Sequence, residues 1–190
     1  MNKAGMTEWA YPLAESLLSD ALPRRWAHSL GVAERARTIA PVLGTDADLL
    51  EAAAVLHDIG YAPDVAKTGF HPLDGARYLR EVVSADERVV RLVAHHSCSW
   101  MEADARGLRD ELENEFPREN ADLNDALCYC DMSTTPDGAP TNAVDRVNEI
   151  VGRYGVDSLI GTFIRRAEPE ILASAARVLG RLASTPRQPM

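Results

Sequence analysis

The sequence predicts an all-helical fold, because apolar residues recur at helical spacing through nearly the whole chain. No segment shows the strict apolar and polar alternation of a strand, and glycine and proline separate the periodic segments. At 190 residues the chain is long enough to bury one sizeable core. We therefore expect a single helical domain.

Proline and apolar spacing define the first two helices. The first is expected at Thr7–Ser19 and ends before the Leu22–Pro23 step, because proline disfavours helical conformation in the residue before it. Pro23 suits the first turn of a second helix, which is expected to run to about Ala40.

Capping patterns predict where the third and fifth helices begin. Thr45 and Asp48 precede the apolar run LLEAAAVLH, and Ser84 and Glu87 surround the start of ERVVRLVAHH. A fourth helix is expected from about His71, after a loop rich in glycine and proline.

The second half of the chain continues the helical pattern. Three helical segments are RGLRDELENEF, as one helix or a pair, NADLNDALCYCDM and AVDRVNEIVGRYG. The stretch STTPDGAPTN between the last two is expected to be a loop. The segment SLIGTFIRRAEPEILASAARVLGRLA is expected to be helical with an interruption near Pro169, and the tail STPRQPM to be disordered.

Composition limits the classes of partner. A net charge of −9 argues against a nucleic-acid polymer, because binding to its backbone relies on clustered Lys and Arg. A small phosphorylated ligand stays compatible with that charge, since a local cation or metal can outweigh a diffuse negative surface. The sequence has neither a membrane-length apolar run nor a signal-peptide centre, which predicts a cytoplasmic protein. Three cysteines without paired spacing receive no role.

Histidine and aspartate are concentrated where predicted helices begin or end. The candidate metal ligands are His28, His57, Asp58, His71, His95, His96 and Asp131. Singly, each is better explained by an ordinary role, such as a core histidine or a turn-forming aspartate. Together, imidazole and carboxylate groups are the ligands that Zn, Mn, Fe and Co accept, more than Ca or Mg.

The adjacent pair His57 and Asp58 needs a helix end. Neighbouring residues point about 100° apart around a helix, so both side chains reach one centre only where the backbone turns. Gly60, two residues later, is expected to supply that termination.

The order of His28, then His57-Asp58 in LHDIG, then Asp131, resembles the HD-domain superfamily of metal-dependent phosphohydrolases. RRWAHSLGVAERA, CDMSTTPDG and RVNEIVGRYG resemble the surrounding family segments, so the likeness covers residues 23–154. It implies a helical domain at 23–155 with the metal site between its central helices. An N-terminal helix would occupy 1–22, and C-terminal helices would pack on the same domain at 156–183, before a tail at 184–190.

The resemblance implies one or two divalent transition metal ions, chosen from Fe, Mn, Zn, Co and Ni. A one-metal member uses His28, His57, Asp58 and Asp131. In a two-metal member Asp58 bridges, and His71 joins His95 or His96 on the second ion. Helix phase favours His96, which continues the apolar face of its helix, but both remain candidates. No GYP motif follows HHS, which disfavours a cyclic-dinucleotide substrate.

The implied activity is hydrolysis of a phosphoester, mono- or diester, in a small nucleotide-like substrate by metal-activated water. Asp58 and His57 are the expected catalytic residues, and Lys67 and Arg25, with Arg24 as an alternative to Arg25, are candidate phosphate contacts. Two other functions stay open: a di-iron oxygenase resembling inositol oxygenase, and a non-catalytic nucleotide or metal sensor. The sequence leaves the oligomeric state open.

Overall fold

Helices supply the regular secondary structure of this computed structural model, which describes residues 5–185. Within that range there is no strand, only an isolated bridge between Thr134 and Pro140. The prediction of an all-α fold is therefore confirmed. None of the described helices combines the length and apolar character of a membrane span.

The helices follow one another with short connections. In chain order they are α1 (Met6–Leu18), α2 (Pro23–Thr38), α3 (Ala47–Leu56), α4 (His71–Tyr78), α5 (Glu87–His95), α6 (Ser99–Arg106), α7 (Arg109–Glu115), α8 (Ala121–Met132), α9 (Ala143–Tyr154) and α10 (Leu159–Ser184). Helix α4 continues as a π-helical turn at Leu79–Val83, and short 3-10 turns occupy Ile59–Tyr61 and His96–Cys98.

Helix α3 is the centre of the core. Every residue from Ala52 to Leu56 is completely buried, so this second half of the helix is apolar on all sides. Helices α1, α2, α5 and α8 contact it. Because α3 is enclosed, the two polar residues that follow it, His57 and Asp58, enter the interior of the protein.

The predicted capping box at Thr45 and Asp48 is wrong. The Asp48 carboxylate instead accepts hydrogen bonds from the Met6 amide at 3.3 Å and the Thr7 hydroxyl at 3.1 Å. It therefore connects the start of α1 to α3, a tertiary contact that local capping rules cannot anticipate.

The predicted cap of α5 is also displaced. Asp86 is the N-cap, and its carboxylate accepts a hydrogen bond from the Arg88 amide at 2.8 Å. Ser84 instead adopts a left-handed conformation, with φ of 55°, that ends the preceding π-helical turn. Glu87 binds the Arg80 guanidinium, so neither predicted residue caps the helix.

The predicted interruption near Pro169 is wrong, because α10 continues through it to Ser184. Pro169 lies on the exposed side of the helix, where water can satisfy the carbonyl that loses its donor. The opposite face, which includes Phe163, Ala167 and Ile171, is buried, and α10 contacts α8 and α9.

The charged segment RGLRDELENEF is divided at Gly107, whose φ of 72° ends α6 before α7 begins. Most of α6 precedes that segment and has no counterpart among the predicted helices. At the other end of the chain, α10 reaches Ser184, and residues 186–190 of the predicted tail lie outside the described residues.

Candidate metal centre

Six of the seven candidate ligands meet in one buried place. His28 comes from the middle of α2. The other five lie at or next to helix ends: His57 and Asp58 after α3, His71 at the start of α4, His96 after α5 and Asp131 near the end of α8. All but His71 are at most 7% exposed. Elements distant in sequence therefore aim their ionisable side chains at a common centre, an arrangement that is also found in helix-bundle metal sites.

Gly60 shapes this centre in a way that differs from the expectation. Helix α3 already ends at Leu56, with His57 as its C-cap, so Gly60 does not terminate it. A Cβ atom on Gly60 would lie 1.9 Å from the His71 carbonyl oxygen. Only glycine allows the start of α4 to approach this closely, and that approach brings His71 to Asp58.

Three of the histidines are oriented in the same way. The Nδ1 atom of His28 donates to the Thr135 carbonyl at 2.9 Å. Those of His57 and His96 donate at 2.7 Å to carbonyls three residues earlier. In a neutral imidazole this leaves a lone pair on each Nε2 atom, which faces the centre. A backbone carbonyl on the far nitrogen is a common support for a metal-binding histidine.

The first group of possible ligand atoms belongs to His28, His57 and Asp131, and these atoms lie within 4.8 Å of one another. His28 Nε2 is 3.0 Å from the Asp131 carboxylate and His57 Nε2 is 4.0 Å from it. His57 Nε2 is buried and has no hydrogen-bond partner among the described residues. A buried lone pair without a partner is costly, and a metal ion would satisfy it.

The second group consists of Asp58, His71 and His96, again with ligand atoms within 4.8 Å. His71 Nε2 lies 3.0 Å from His96 Nε2 and 3.4 Å from Asp58 Oδ1. Burial lowers the pKa of both histidines, which favours the neutral form that binds metal.

Asp58 belongs to the second group and also approaches the first. Its Oδ2 atom is 3.4 Å from His57 Nε2 and 4.0 Å from His28 Nε2, whereas its Oδ1 atom faces His71. Burial alone would raise the pKa of Asp58, but the charge of Arg25 and the neighbouring histidines hold that pKa well below its ordinary value. The carboxylate is thus ionised, with one oxygen toward each group.

Asp131 is ionised for similar reasons. Burial would raise the pKa of Asp131, but the close contact with His28 and the nearby His57 lower it. The hydroxyl of Ser97 donates to the second oxygen of Asp131. Ser97 holds a left-handed backbone, with φ of 49°, directly after His96, so one short segment contacts both groups.

Arg25, one of the candidate phosphate contacts selected from the sequence, lies against the centre. Its Nη1 atom donates to Asp58 Oδ2 at 2.6 Å, and its guanidinium lies 3.6 Å from the centroid of the Tyr61 ring. Tyr61 in turn stacks on His71, with ring centroids 3.9 Å apart. Tyr61 was not among the residues selected from the sequence, although it follows LHDIG directly.

A cavity of about 90 Å³ opens over both groups. Its polar side includes Arg25, Ser97, Glu102 and Arg153, together with the candidate ligands. An apolar wall of the same cavity comes from α9 and α10: Ile150, Tyr154, Ile160, Phe163 and Ile164. No local motif marks this wall, because its helices are far from LHDIG in the sequence.

The other selected residues lie elsewhere. His95 is buried, but its Nε2 atom donates to the Phe116 carbonyl at 2.6 Å, and it belongs to neither ligand group among the described residues. Lys67 is exposed and does not line the cavity, and its amide binds Asp74. Arg24 points to the surface and pairs with Asp137.

Comparison with known proteins agrees with this architecture. The model of the HD domain matches residues 25–132, more than half of the chain. This chain therefore belongs to the HD domain family, and the resemblance recognised in the sequence is confirmed.

Two kinds of protein are among the individual relatives. The chain is 40% identical over 70 residues to Ribonuclease Y of Rubrobacter xylanophilus, covering 37% of this chain and 14% of that protein. It is 30% identical over 161 residues to a deoxyguanosinetriphosphate triphosphohydrolase-like protein of Corynebacterium diphtheriae, covering 78% of this chain and 32% of the relative. The matches thus span about a third or less of these relatives. No solved structure matches the chain.

Proposed function

We propose that this protein is a metal-dependent phosphohydrolase that cleaves a phosphoester of a small, nucleotide-like substrate with water. One observation supports this most strongly: Asp58 Oδ2 faces His57 and His28 of the first group, whereas Asp58 Oδ1 faces His71 of the second group. Membership of the HD domain family and relatives named as hydrolases of nucleotides or RNA agree with it.

The ligand set fits two divalent transition metal ions. His28, His57 and Asp131 would hold one ion and His71 and His96 the other, with Asp58 shared between them. The mixture of imidazole and carboxylate suits Fe, Mn, Zn, Co or Ni. When bound, such ions supply a Lewis acid for a phosphoryl oxygen and lower the pKa of a coordinated water.

The side chains around the metal ligands would position the substrate. Arg25 already binds one anion, the Asp58 carboxylate, at the edge of the cavity, and a phosphate oxygen is an equivalent acceptor for a guanidinium. Arg153 lines the same cavity. We propose these two cations as the phosphate contacts, in preference to Lys67, which does not line the cavity.

The apolar wall supports a substrate with a flat or apolar group beyond its phosphate. Phe163 and Tyr154 supply aromatic surface there, and Ile160 and Ile164 add aliphatic surface. A nucleobase offers such a surface, because bases stack on aromatic and apolar side chains. The net charge of −9 favours a small nucleotide over a polymer.

The proposal is tested by loading the purified protein separately with Mn, Fe, Zn, Co and Ni. Phosphate release is then measured from nucleoside mono-, di- and triphosphates and from a generic phosphodiester. We expect hydrolysis of at least one substrate class that disappears with chelator and with Asp58→Asn. Consumption of oxygen by a di-iron form without hydrolysis would contradict the proposal in favour of an oxygenase. Tight nucleotide binding without turnover would contradict it in favour of a sensor.

A further inference from the structure

His71 differs from the other three histidines of the two ligand groups in how its ring is held. The Nδ1 atoms of His28, His57 and His96 each donate to a backbone carbonyl, at 2.9, 2.7 and 2.7 Å. Among the described residues, the single hydrogen-bond contact of the His71 ring joins its Nε2 atom to His96 Nε2. The far nitrogen of His71 therefore lacks the support that orients the other three rings.

The position of His71 in its helix explains this difference. His57 follows the last turn of α3 and binds the Ala54 carbonyl. His96 follows α5 and binds the Val93 carbonyl in the same way. His71 is instead the first residue of α4. The start of a helix offers unpaired amides rather than carbonyls, so the ring of His71 needs another kind of support.

The metal-facing side of His71 cannot supply that support. There its Nε2 atom lies 3.0 Å from His96 Nε2 and 3.4 Å from Asp58 Oδ1. Both of these atoms are themselves proposed ligands, so a bound ion would replace the two contacts. The group that fixes the His71 ring in a metal-loaded centre must therefore lie on another side of it.

The Tyr61 ring covers one face of the His71 imidazole. The two rings are stacked, with centroids 3.9 Å apart and an angle of 19° between their planes. Tyr61 ends the 3-10 turn that begins at Ile59, and its amide donates to the Asp58 carbonyl at 3.1 Å. The close approach of α4 to Gly60 then sets the imidazole against the phenol ring. Such a stacked contact favours one orientation of the imidazole.

A cation contacts the opposite face of Tyr61. The Arg25 guanidinium lies 3.6 Å from the centroid of the Tyr61 ring, where a cation is attracted to an aromatic face. An imidazole and a guanidinium this close to one ring cannot share a face, so Tyr61 lies between His71 and Arg25. Arg25 is in turn fixed by its hydrogen bond to Asp58 at 2.6 Å. The phenol ring is thus held on both faces, although Tyr61 is 37% exposed.

We propose that Tyr61 is a positioning residue for the second metal ion, the one assigned to His71 and His96. Its ring holds the His71 imidazole with Nε2 toward the centre, as backbone carbonyls do for the other three histidines. The proposal rests on the two-metal arrangement of the proposed function, and it assigns the effect to the ring of Tyr61 and not to its hydroxyl. Loss of the ring should therefore weaken the second ion and leave the first unchanged.

Three variants separate the ring from the hydroxyl. Tyr61→Phe keeps the ring, whereas Tyr61→Leu and Tyr61→Gln remove it from a position outside the core. Calorimetric titration of the metal-free protein with Co²⁺ measures both affinities, and His71→Ala identifies the affinity of the first ion. We expect the second ion to bind about tenfold to a hundredfold more weakly in Tyr61→Leu and Tyr61→Gln. Both affinities should be retained in Tyr61→Phe.

Proton NMR of the metal-free chain provides a readout that requires no metal ion. Stacking against an aromatic ring shifts the imidazole C–H signals of His71 upfield, and His71→Ala identifies these signals. The upfield shift should be present in the wild type and in Tyr61→Phe, and absent in Tyr61→Leu and Tyr61→Gln.

The outcomes distinguish the role of Tyr61 from the metal centre itself. Two ions bound by Tyr61→Leu with wild-type affinities would overturn the role of Tyr61 alone. Equal weakening of both ions would assign the effect to Arg25 and Asp58 instead of His71, and weakening in Tyr61→Phe would assign it to the hydroxyl. Either result overturns the proposal. A wild-type chain that binds fewer than two ions would refute the two-metal centre, and this proposal with it.

Discussion

The Nε2 atoms of His71 and His96 lie 3.0 Å apart. Because His96 donates its Nδ1 proton to the Val93 carbonyl, its Nε2 atom offers only a lone pair while the ring is neutral. In the metal-free chain the two nitrogens can share a proton. Two neutral imidazoles at this separation are also well placed to share a cation, which is the basis of the proposed second metal position.

Adjacent histidines provide a matched pair of variants. His96→Ala removes a proposed ligand and should lower the metal content, as measured by elemental analysis. His95→Ala should leave metal content unchanged, because His95 binds the Phe116 carbonyl. It should instead lower the free energy of unfolding by about 1–3 kcal/mol, since a buried carbonyl loses its donor. Loss of metal in His95→Ala, with metal retained in His96→Ala, would reverse the assignment.

Asp58→Ala tests the shared ligand. Because Asp58 has one oxygen toward each ligand group, its removal should abolish both metal binding and hydrolysis. The helical content by circular dichroism should change little, since the apolar core around α3 is intact. Asp64→Ala, an exposed carboxylate on the following loop, is the control and should retain metal. Full metal content in Asp58→Ala would refute a bridging role.

The metal-free protein should lose stability in mild acid. Burial lowers the pKa of His71, His95 and His96 in the folded chain, whereas unfolded histidine titrates near about 6.5. Below that pH the unfolded state therefore binds more protons than the folded state. Above it, the contribution of these histidines to the free energy of unfolding is fully present. The free energy of unfolding should fall as pH drops, by up to about 1.4 kcal/mol per pH unit for each histidine.

Urea unfolding between about pH 8 and 5 measures this slope, with chelator present to keep metal out. The variant His71→Asn with His96→Asn removes two of the three groups and should show a shallower slope. A slope equal to that of the wild type would mean that other groups cause the acid sensitivity. Asp58 and Asp131, whose pKa values are lowered, should add to the loss of stability only below about pH 4.

The variants Arg25→Ala and Arg24→Ala compare a residue of the proposed site with a neighbouring surface residue. Arg25→Ala should reduce kcat/KM by about tenfold to a hundredfold, the cost of losing a hydrogen bond to a charged group. Arg24→Ala should change it less than about twofold, because Arg24 is 59% exposed and its ion-pair partner, Asp137, is exposed as well. Steady-state kinetics on the preferred phosphoester decide between them, and equal losses in both variants would remove Arg25 from the proposed site.

The helices and the order of the proposed ligands could be predicted because both can be read from short segments of the sequence. Helical periodicity shows each amphipathic segment, and the spacing of His28, the LHDIG motif and Asp131 resembles a family pattern. The choice between His95 and His96 was harder, since α5 ends at His95 and His96 has left the helix with ψ of 149°. Helix phase still favoured His96, whose side chain joins the second group.

Features that depend on tertiary contacts could not be predicted from the sequence. Asp48 binds the start of α1 instead of capping its own helix, and Pro169 is accommodated because it lies on the exposed side of α10. Gly60 is required by the approach of the His71 carbonyl, which no property of LHDIG reveals. Likewise, Tyr61 becomes part of the site because α4 places the His71 ring against the Tyr61 ring.

Metal content combined with anomalous diffraction, on wild type and on His71→Ala, tests the two-metal arrangement most directly. We expect two ions per wild-type chain, one near each ligand group with Asp58 between them. His71→Ala should retain only the ion beside His28, His57 and Asp131. A single ion in both proteins, at the same position, would contradict a two-metal centre.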